Sequence, residues 1–425
     1  MSVRAGILVT GTEVLGGRTI DRNGPWVSKR LAELGVDVAH LTCVGDREED
    51  LDAALRFLAG TRMDLIVTTG GLGPTADDIT AEVVARFAGL ELMLDEGMEA
   101  RIEKIVAGFA RRMRFDPEGL REGTRKQAMV PVGSVALDPA GTAPGLVVGA
   151  ADTVVVMLPG PPRELQAMWP AAVASEPVTR LLEGADEYAE ASMKMFGIPE
   201  STLAKSLREI GAGVDLDPLE ITTCLRRGAE LEIDVRYRSD AEPLRAALFD
   251  GLRERHGDYI YTERGESIDE LVGRLLEGHR IGLGESCSGG KLAVRLTDRP
   301  GSSAYTVGSV VAYSNEAKAN LLGVPPEVIG ARGAVSPEVA EALAAGAIER
   351  FDADLGVGIT GVAGPEGGTE AKPVGYVCIC VLSDDGRVLA RDLQLPGNRE
   401  DVRDRSVSVA MHMIRRFLLE ESLPF

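Results

Sequence analysis

The sequence predicts an α/β protein built from two three-layer α/β domains joined by a small α+β domain. Three features carry that reading. Short β-branched runs alternate with amphipathic stretches of about a dozen residues, and glycine-rich loops stand where those runs end. The chain, at 425 residues, is also too long for one ordinary hydrophobic core. Composition and motif positions place the boundaries at 1–170, 171–262 and 263–425.

In the first segment, Arg4 to Thr10 reads as a buried strand that ends at Gly11. Asn23 to Leu34 has helical spacing and stops at Gly35. A second strand over Val36 to Val44, a helix over Glu48 to Leu58 and a third strand over Leu65 to Thr69 follow. This alternation implies a parallel sheet with right-handed crossovers, whose ligands gather at the carboxyl ends of the strands. Two loops stand at such ends: Gly11-Thr12-Glu13 and Gly70-Gly71-Leu72-Gly73-Pro74-Thr75. The second follows a strand and leads into a helix, so its backbone amides can approach a phosphate closely. It matches neither a Walker motif nor a dinucleotide fingerprint. Asp77 and Asp78 come next; Asp78 is either the partner of Thr75 in a capping box or a metal or acid/base group.

In the second segment, Ser192 to Pro199 reads as a strand that turns into a helix reaching about Ile210. Two alternating runs, Leu219 to Arg226 and Glu230 to Tyr237, precede a helix over Asp240 to His256. Its mixed charges offer no basic face interleaved with aromatics for nucleic acid, so a spacer or dimerisation role is expected.

The third segment carries the richest chemistry. Strands are expected at Arg280 to Leu283, Tyr305 to Tyr313, Leu355 to Ile359, Val374 to Leu382 and Val388 to Leu395. Helices follow Ser286-Cys287-Ser288-Gly289-Gly290 and Ser336-Pro337-Glu338, and a last one spans Asp401 to Leu419. Ser286, between a strand and a helix with glycines just after it, suits an exposed nucleophile; the alternative is an ordinary N-cap. Tyr313 and Lys318 stand beside the next strand end, where a packed tyrosine and a solvated lysine are the bland readings. Only four histidines occur (His40, His256, His279 and His412), and none suits a Ser-His-Asp triad, so a base for Ser286 is not expected to be histidine.

A net charge of -20 argues against nucleic acid or an anionic membrane as the main partner, though not against a small phosphorylated ligand. No apolar run is long enough to cross a bilayer. The five cysteines form no CxxC pair, which with the rest suggests a reducing, cytoplasmic setting.

Taken together, the loop motifs resemble the CinA (competence/damage-inducible) family. In the first segment the resemblance rests on GGLGPTADDIT (Gly70 to Thr80), Asp21-Arg22-Asn23, Arg125-Lys126-Gln127-Ala128, Gly141-Thr142-Ala143-Pro144-Gly145 and Leu158-Pro159-Gly160-Pro161-Pro162. It implies a molybdopterin-binding-like (MoaB/MogA-like) domain that hydrolyses ADP-ribose with a divalent metal ion. Gly70, Gly71, Gly73, Thr75 and Lys126 would bind the nucleotide, and Asp78 and Glu13 the metal. Three positions depart from the family: Thr12 replaces the aspartate of Gly-Asp-Glu, Thr124 an asparagine, and Asp138 the asparagine of Asn-Pro. The middle segment resembles the family's KH-like domain.

The last segment resembles the family's nicotinamide-nucleotide amidase domain, through Glu285 to Gly290, Pro300-Gly301-Ser302-Ser303, Val311 to Lys318, Gly333 to Ser336 and Gly358 to Gly375. The resemblance implies deamidation of nicotinamide mononucleotide with Ser286, Tyr313, Lys318 and Thr360 as catalytic residues and no cofactor. Ser288 stands where the family usually has threonine. In that scheme Ser286 attacks, Lys318 takes its proton and Tyr313 relays or orients it. Amides of Ser288, Gly289 and Gly290, with Thr360, hold the oxyanion. The substrate phosphate has two candidate seats, the Gly364 to Gly368 loop or Arg399 with Arg403. A homodimer is expected. The rival readings are a non-catalytic competence or damage-response partner and a molybdenum-cofactor protein.

Overall fold

Period-two alternation in the first strand decides how the front of the chain packs. The computed structural model describes residues 3–110, 117–183, 185, 188–226 and 228–423, in two compact units, Met1–Tyr188 and Ala189–Phe425. The first unit holds β1 (Arg4–Thr10), β2 (Asp37–Val44), β3 (Leu65–Thr69), β4 (Leu92–Leu94), β5 (Met129–Pro131), β6 (Val135–Leu137), β7 (Gly145–Ala150) and β8 (Thr153–Leu158). Along β1, Ala5, Ile7 and Val9 join a core with Val27 and Leu31 of the helix Asn23–Glu33. Leu8 faces the other way, onto Leu51, Leu55 and Leu58 of the helix Glu48–Gly60. The result is a three-layer domain.

Its six-stranded sheet runs β2-β1-β3-β8-β7-β6. The pairs β1/β2, β1/β3 and β3/β8 are parallel, and β7 and β6 are added antiparallel. Because β1 and β3 are parallel neighbours, the loops after Thr10 and Thr69 emerge side by side. The helix after the second loop starts only at Thr80, later than the Thr75-to-Asp78 capping box would put it.

The second unit contains β9 (Tyr188–Phe196), β10 (Leu219–Arg226), β11 (Glu230–Arg238) and β12 (Ile260–Thr262) in one sheet of order β10-β11-β9-β12. The helices Glu200–Gly211 and Glu242–His256 bury Leu203, Ile210, Leu248, Phe249 and Leu252 against Met193, Met195, Leu231, Ile233 and Val235 of that sheet.

The other sheet is built from β13 (Ile281–Glu285), β14 (Thr306–Val311), β15 (Leu355–Gly361), β16 (Tyr376–Ser383) and β17 (Val388–Gln394), in the order β14-β13-β15-β16-β17. The first three are mutually parallel and the last two antiparallel, so β13, β14 and β15 all end on one edge. One face is covered by the helix Pro337–Phe351, capped by Ser336, whose Oγ accepts from the Val339 amide. That helix lies unusually close to the strands. A Cβ on Gly358 would stand 1.8 Å from the Ala340 carbonyl oxygen, and one on Gly356 2.2 Å from that of Ala344. Glycine is required at both positions by close approach. The opposite face carries Ile268–Leu275, Lys291–Thr297 and the last helix, Arg399–Leu418. That last helix starts two residues earlier than its apolar pattern suggests, because Asn398 and Asp401 form a capping box.

The two sheets of this unit meet at a buried polar joint. Glu230 of β11 accepts from the Tyr261 hydroxyl at 3.0 Å and pairs with Arg295 at 3.3 Å; Arg295 in turn pairs with Asp269 at 2.6 Å. His412 of the last helix stacks on Phe196, with ring centroids 3.8 Å apart, and its Nε2 lies 3.6 Å from Glu230. Burial pushes the His412 imidazole down to about 4; Glu230 opposes the shift, and Arg415 and Arg295 reinforce it.

The joint predicts an acid-sensitive fold. Folded His412 stays neutral down to about pH 4, whereas the unfolded chain takes up that proton near its ordinary 6.5. Its contribution is therefore complete above pH 6.5 and lost as pH falls toward 4. The loss is on the order of 3 kcal/mol, because a tenfold change in proton affinity is worth about 1.4 kcal/mol. Denaturant unfolding between pH 7 and 4 is expected to show this slope in the wild-type chain and to lack it in His412→Phe. An unchanged slope in the variant would refute the assignment.

Candidate active site

Ser286 is the first residue beyond β13, the central member of the three parallel strands. Its amide donates to Ile359 O at 2.9 Å, and its carbonyl accepts from the Gly289 amide at 3.0 Å, closing a tight turn. Gly289 and Gly290 take φ of 61° and 88°, values that favour glycine. Ser286 is 7% exposed, and its hydroxyl has no hydrogen-bond partner among the described residues. The strand ends bring two further predicted residues alongside. The Ala312 amide donates to Glu285 O at 2.8 Å, so Ala312 and Tyr313 flank Ser286 on one side. Thr360 flanks it on the other, since Glu285 is in register with Ile359.

Lys318 lies in the helix Asn315–Leu322, capped by the Ser314 hydroxyl, which accepts from the Ala317 amide at 3.1 Å. The capped turn sends its side chain inward. Lys318 is 2% exposed, and its Nζ donates to Ala312 O at 3.0 Å and Tyr313 O at 3.3 Å. No carboxylate of the described residues lies within ion-pair distance of it. Burial lowers its pKa from the usual 10.5, and the Cys287 thiol beside Ser286 opposes the shift. An amine with two of its three positions committed to carbonyls keeps one for a proton or a lone pair.

The other predicted residues fall out differently. The Thr360 hydroxyl donates to Ala334 O at 2.7 Å and is 1% exposed, so it braces a loop. The Tyr313 ring is half exposed; its hydroxyl accepts from Arg399, while Lys318 meets its carbonyl. Arg399 also donates to Gly364 O at 2.6 Å, so the two candidate phosphate seats converge. Arg403, one turn along the same helix, donates to Ser288 O at 2.9 Å. Gly368 packs against the backbone of Val374 and serves the fold of its own loop.

The oxyanion donors differ from expectation, and Glu285 is the reason. This fully buried residue accepts from the amides of Gly290, Leu292 and Ala293 at 3.0, 3.1 and 2.9 Å. It also accepts from the hydroxyls of Ser288 at 2.7 Å and Ser309 at 3.3 Å. The first-turn amides are therefore occupied, as is the Gly289 amide. In this turn the amides of Cys287 and Ser288 have no oxygen partner among the described residues. Sequence reasoning passes over Glu285, although a carboxylate five residues ahead of a glycine-capped helix start is a readable hint.

In the front unit, a cavity of about 360 Å³ is lined by Gly11, Glu13, Gly70, Gly71, Gly73 and Asp78, and also by Asp46 and Glu164, which the sequence did not single out. Burial raises the Glu164 carboxyl pKa. Lys126, which donates to Thr75 O, does not line this cavity but a smaller pocket that shares Gly71, Gly73 and Asp78 with it. The Asp78 carboxylate accepts from the Thr75 amide at 2.9 Å and hydroxyl at 2.6 Å. Thr12 donates to Asp46 through its amide at 2.8 Å and its hydroxyl at 2.9 Å. The lining carries the carboxylates of Glu13, Asp46, Asp77, Asp78 and Glu164, but among the described residues no three His, Cys, Asp or Glu side chains are grouped to hold a metal. No helix of the described residues is long and apolar enough to cross a membrane.

Two family models match the chain. The model of the CinA C-terminal domain matches residues 265–418, and that of a probable molybdopterin binding domain matches residues 6–179. A CinA-like protein of Mycobacterium sp. (strain MCS) is 57% identical over 420 residues, covering 98% of this chain and 99% of the relative. Its counterpart in Mycobacterium tuberculosis (strain ATCC 25618 / H37Rv) is 55% identical over 423 residues, 98% of each chain. Among solved structures, competence/damage inducible protein CihA from Agrobacterium tumefaciens is 36% identical, covers 36% of this chain and 97% of its own, and has a TM-score of 0.34. Identity at this level along nearly the whole length is decisive: the chain belongs to the CinA-like protein family.

Proposed function

We propose that the last domain is an amidohydrolase that deamidates nicotinamide mononucleotide to nicotinate mononucleotide. The observation that carries the reading is a buried lysine without a carboxylate partner among the described residues, bonded to the carbonyl of the residue that flanks Ser286. A lone buried ammonium is costly, and the cheapest relief is loss of its proton. A neutral amine there can take the proton of Ser286 as its oxygen attacks the carboxamide carbon. The amides of Cys287 and Ser288 hold the tetrahedral oxyanion. Collapse breaks the C–N bond, and Lys318 returns the proton to the leaving nitrogen, giving ammonia and a Ser286 ester. Water, deprotonated by the same amine, then releases the acid. The family resemblance supplies the substrate. Arg399 and Arg403 supply positive charge for its phosphate, and Arg399 also fixes the Tyr313 ring at the mouth of the site.

The front cavity supports a second reading, binding of ADP-ribose or a similar nucleotide by the loops after β1 and β3. Its carboxylates do not gather as a metal site, so no hydrolytic step is assigned to it.

Ser286→Ala is expected to lower ammonia release from nicotinamide mononucleotide by about 10³-fold or more, with the fold retained. Near-wild-type turnover would remove Ser286 from the mechanism. Lys318→Arg is expected to be nearly as damaging in kcat as Lys318→Ala, because guanidinium cannot lose its proton. The wild-type rate is expected to rise with pH along a limb set by Lys318, below its usual 10.5 because burial favours the neutral form. Robust kcat in Lys318→Arg would count against the Ser-Lys scheme. For the front unit, calorimetric titration with Mg²⁺ or Mn²⁺ is expected to show weak binding by the wild-type chain. Thr12→Asp, which sets a second carboxylate beside Asp46, is expected to bind at least about tenfold more tightly; equal binding by both would contradict this reading of the cavity.

A further inference from the structure

We propose that Glu285 is a positioning residue for the Ser286 turn, and that Ser288 acts with it rather than on the substrate. The proposal rests on the amidase reading but concerns a different question, namely what holds the nucleophile and selects the oxyanion donors.

The helix Lys291–Thr297 begins with amides that have no partner inside the helix. Left open, they would be donors close to Ser286 that could compete for a developing oxyanion. Glu285 removes them. One of its oxygens takes Gly290 N, Leu292 N and the Ser288 hydroxyl, and the other takes Ala293 N and the Ser309 hydroxyl. The fourth amide, Lys291 N, reaches Ser288 O at 3.4 Å. The whole first turn is thus occupied from within.

Two consequences follow for Ser286. Glu285 is its immediate neighbour, and the Glu285 side chain is tied to residues on the far side of the turn. The backbone from Glu285 to Gly290 is therefore closed into a ring by a side chain as well as by the Gly289 N to Ser286 O bond. The ring fixes where the Ser286 hydroxyl points. It also leaves the Cys287 and Ser288 amides as the turn's donors not taken by oxygen. One of them is on the residue just after the nucleophile, where an oxyanion donor is most useful. The Ser288 hydroxyl donates into the ring, so its role is to brace the turn. Ser309 of β14 carries the brace to the strand that leads to Tyr313.

A residue that acts this way is needed in the transition state and not for binding. In Glu285→Gln one oxygen becomes an NH₂ that faces hydrogen-bond donors. In Ser288→Ala a single strut is lost at the core of the ring. Both variants are expected to lose kcat, Glu285→Gln on the order of 10²-fold and Ser288→Ala on the order of tenfold, with KM for nicotinamide mononucleotide within about twofold of wild type. The pH position of the acid limb is expected to stay put, because the Lys318 amine bonds to the Ala312 and Tyr313 carbonyls and not to Glu285. A second readout does not depend on the substrate: covalent labelling of Ser286 by a fluorophosphonate, which needs the same attack geometry and the same oxyanion donors, is expected to slow in parallel.

Thermal unfolding run alongside separates misfolding from misplacement. If Glu285→Gln does not fold, Ser288→Ala decides. Folded variants that keep kcat and labelling rate within about threefold of wild type would overturn the proposal, as would a loss that appears in KM alone. Labelling that is clear in wild type and slows in both variants, with no ammonia release from any chain, would support the positioning role and reject the substrate. Absence of wild-type labelling at Ser286 would overturn the positioning role itself.

Discussion

Two charged side chains are buried at the same sheet edge, and they are treated in opposite ways. Glu285 is wrapped by five donors, three of them backbone amides at a helix start. Lys318 has two carbonyl acceptors and no carboxylate among the described residues. Burying a charge costs several kcal/mol unless hydrogen bonds or a counter-charge offset it. The first group is compensated, and it can serve as a fixed brace. The second is undercompensated, so it is pushed toward its neutral form, the only form in which an amine is a base. One strand separates the two, and that spacing comes from the parallel register of β13 and β14.

That register depends in turn on close packing behind the sheet. The helix Pro337–Phe351 can lie against β13 and β15 because Gly282 and Gly284 on the first and Gly356 and Gly358 on the second present no side chain to its carbonyls. Any Cβ at those positions would force the helix outward. Such a shift would loosen the strand ends that carry Ser286 and Thr360. The glycines that look like loop chemistry in the sequence therefore divide into two kinds. Gly289 and Gly290 serve the backbone conformation of the turn, whereas Gly356 and Gly358 serve layer spacing.

Much of this is legible in the sequence, for identifiable reasons. Strand and helix positions follow from periodicity, since each element has one buried face: the pattern gives β1 to the residue, and the Ser-Pro-Glu signature gives the start of the helix capped by Ser336. Ser286 and Thr360 are legible as neighbours because both sit at the ends of adjacent strands, whereas Lys318 lies inside the helix that follows the next strand. What is not legible is which polar group each side chain chooses. Asp78 is open in the sequence between a local turn and a metal, and its carboxylate turns to Thr75. Thr12 reads only as a missing carboxylate, and its partner Asp46 lies thirty-four residues away on another loop. The Glu285 ring is hidden because a carboxylate inside a strand pattern carries no periodicity of its own. Apolar spacing misses the start of the last helix because the Asn398 cap contributes hydrogen bonds and no apolar contact.

The last helix also bears on the middle sheet, for which composition suggests a spacer. Its first two turns carry Arg399 to the Tyr313 hydroxyl and Arg403 to the Ser288 carbonyl. Asp404 then pairs with Lys291, and Ser408 accepts from Arg295 at 2.9 Å, both on the helix that follows the nucleophile turn. Further along, His412 stacks on Phe196, and Arg416 donates to Asp258 O. A helix of twenty residues spans about 30 Å as a nearly rigid rod. One element thus touches the proposed phosphate seat, the nucleophile helix and the middle sheet in succession. Burial of Glu230 is made tolerable by Arg295 and Tyr261 together, and removing either would leave the carboxylate buried and short of a bond. The bonds from Glu230 to Arg295 and Tyr261 restrict the arrangement of the two sheets, because a misaligned polar contact costs more than a misaligned apolar one.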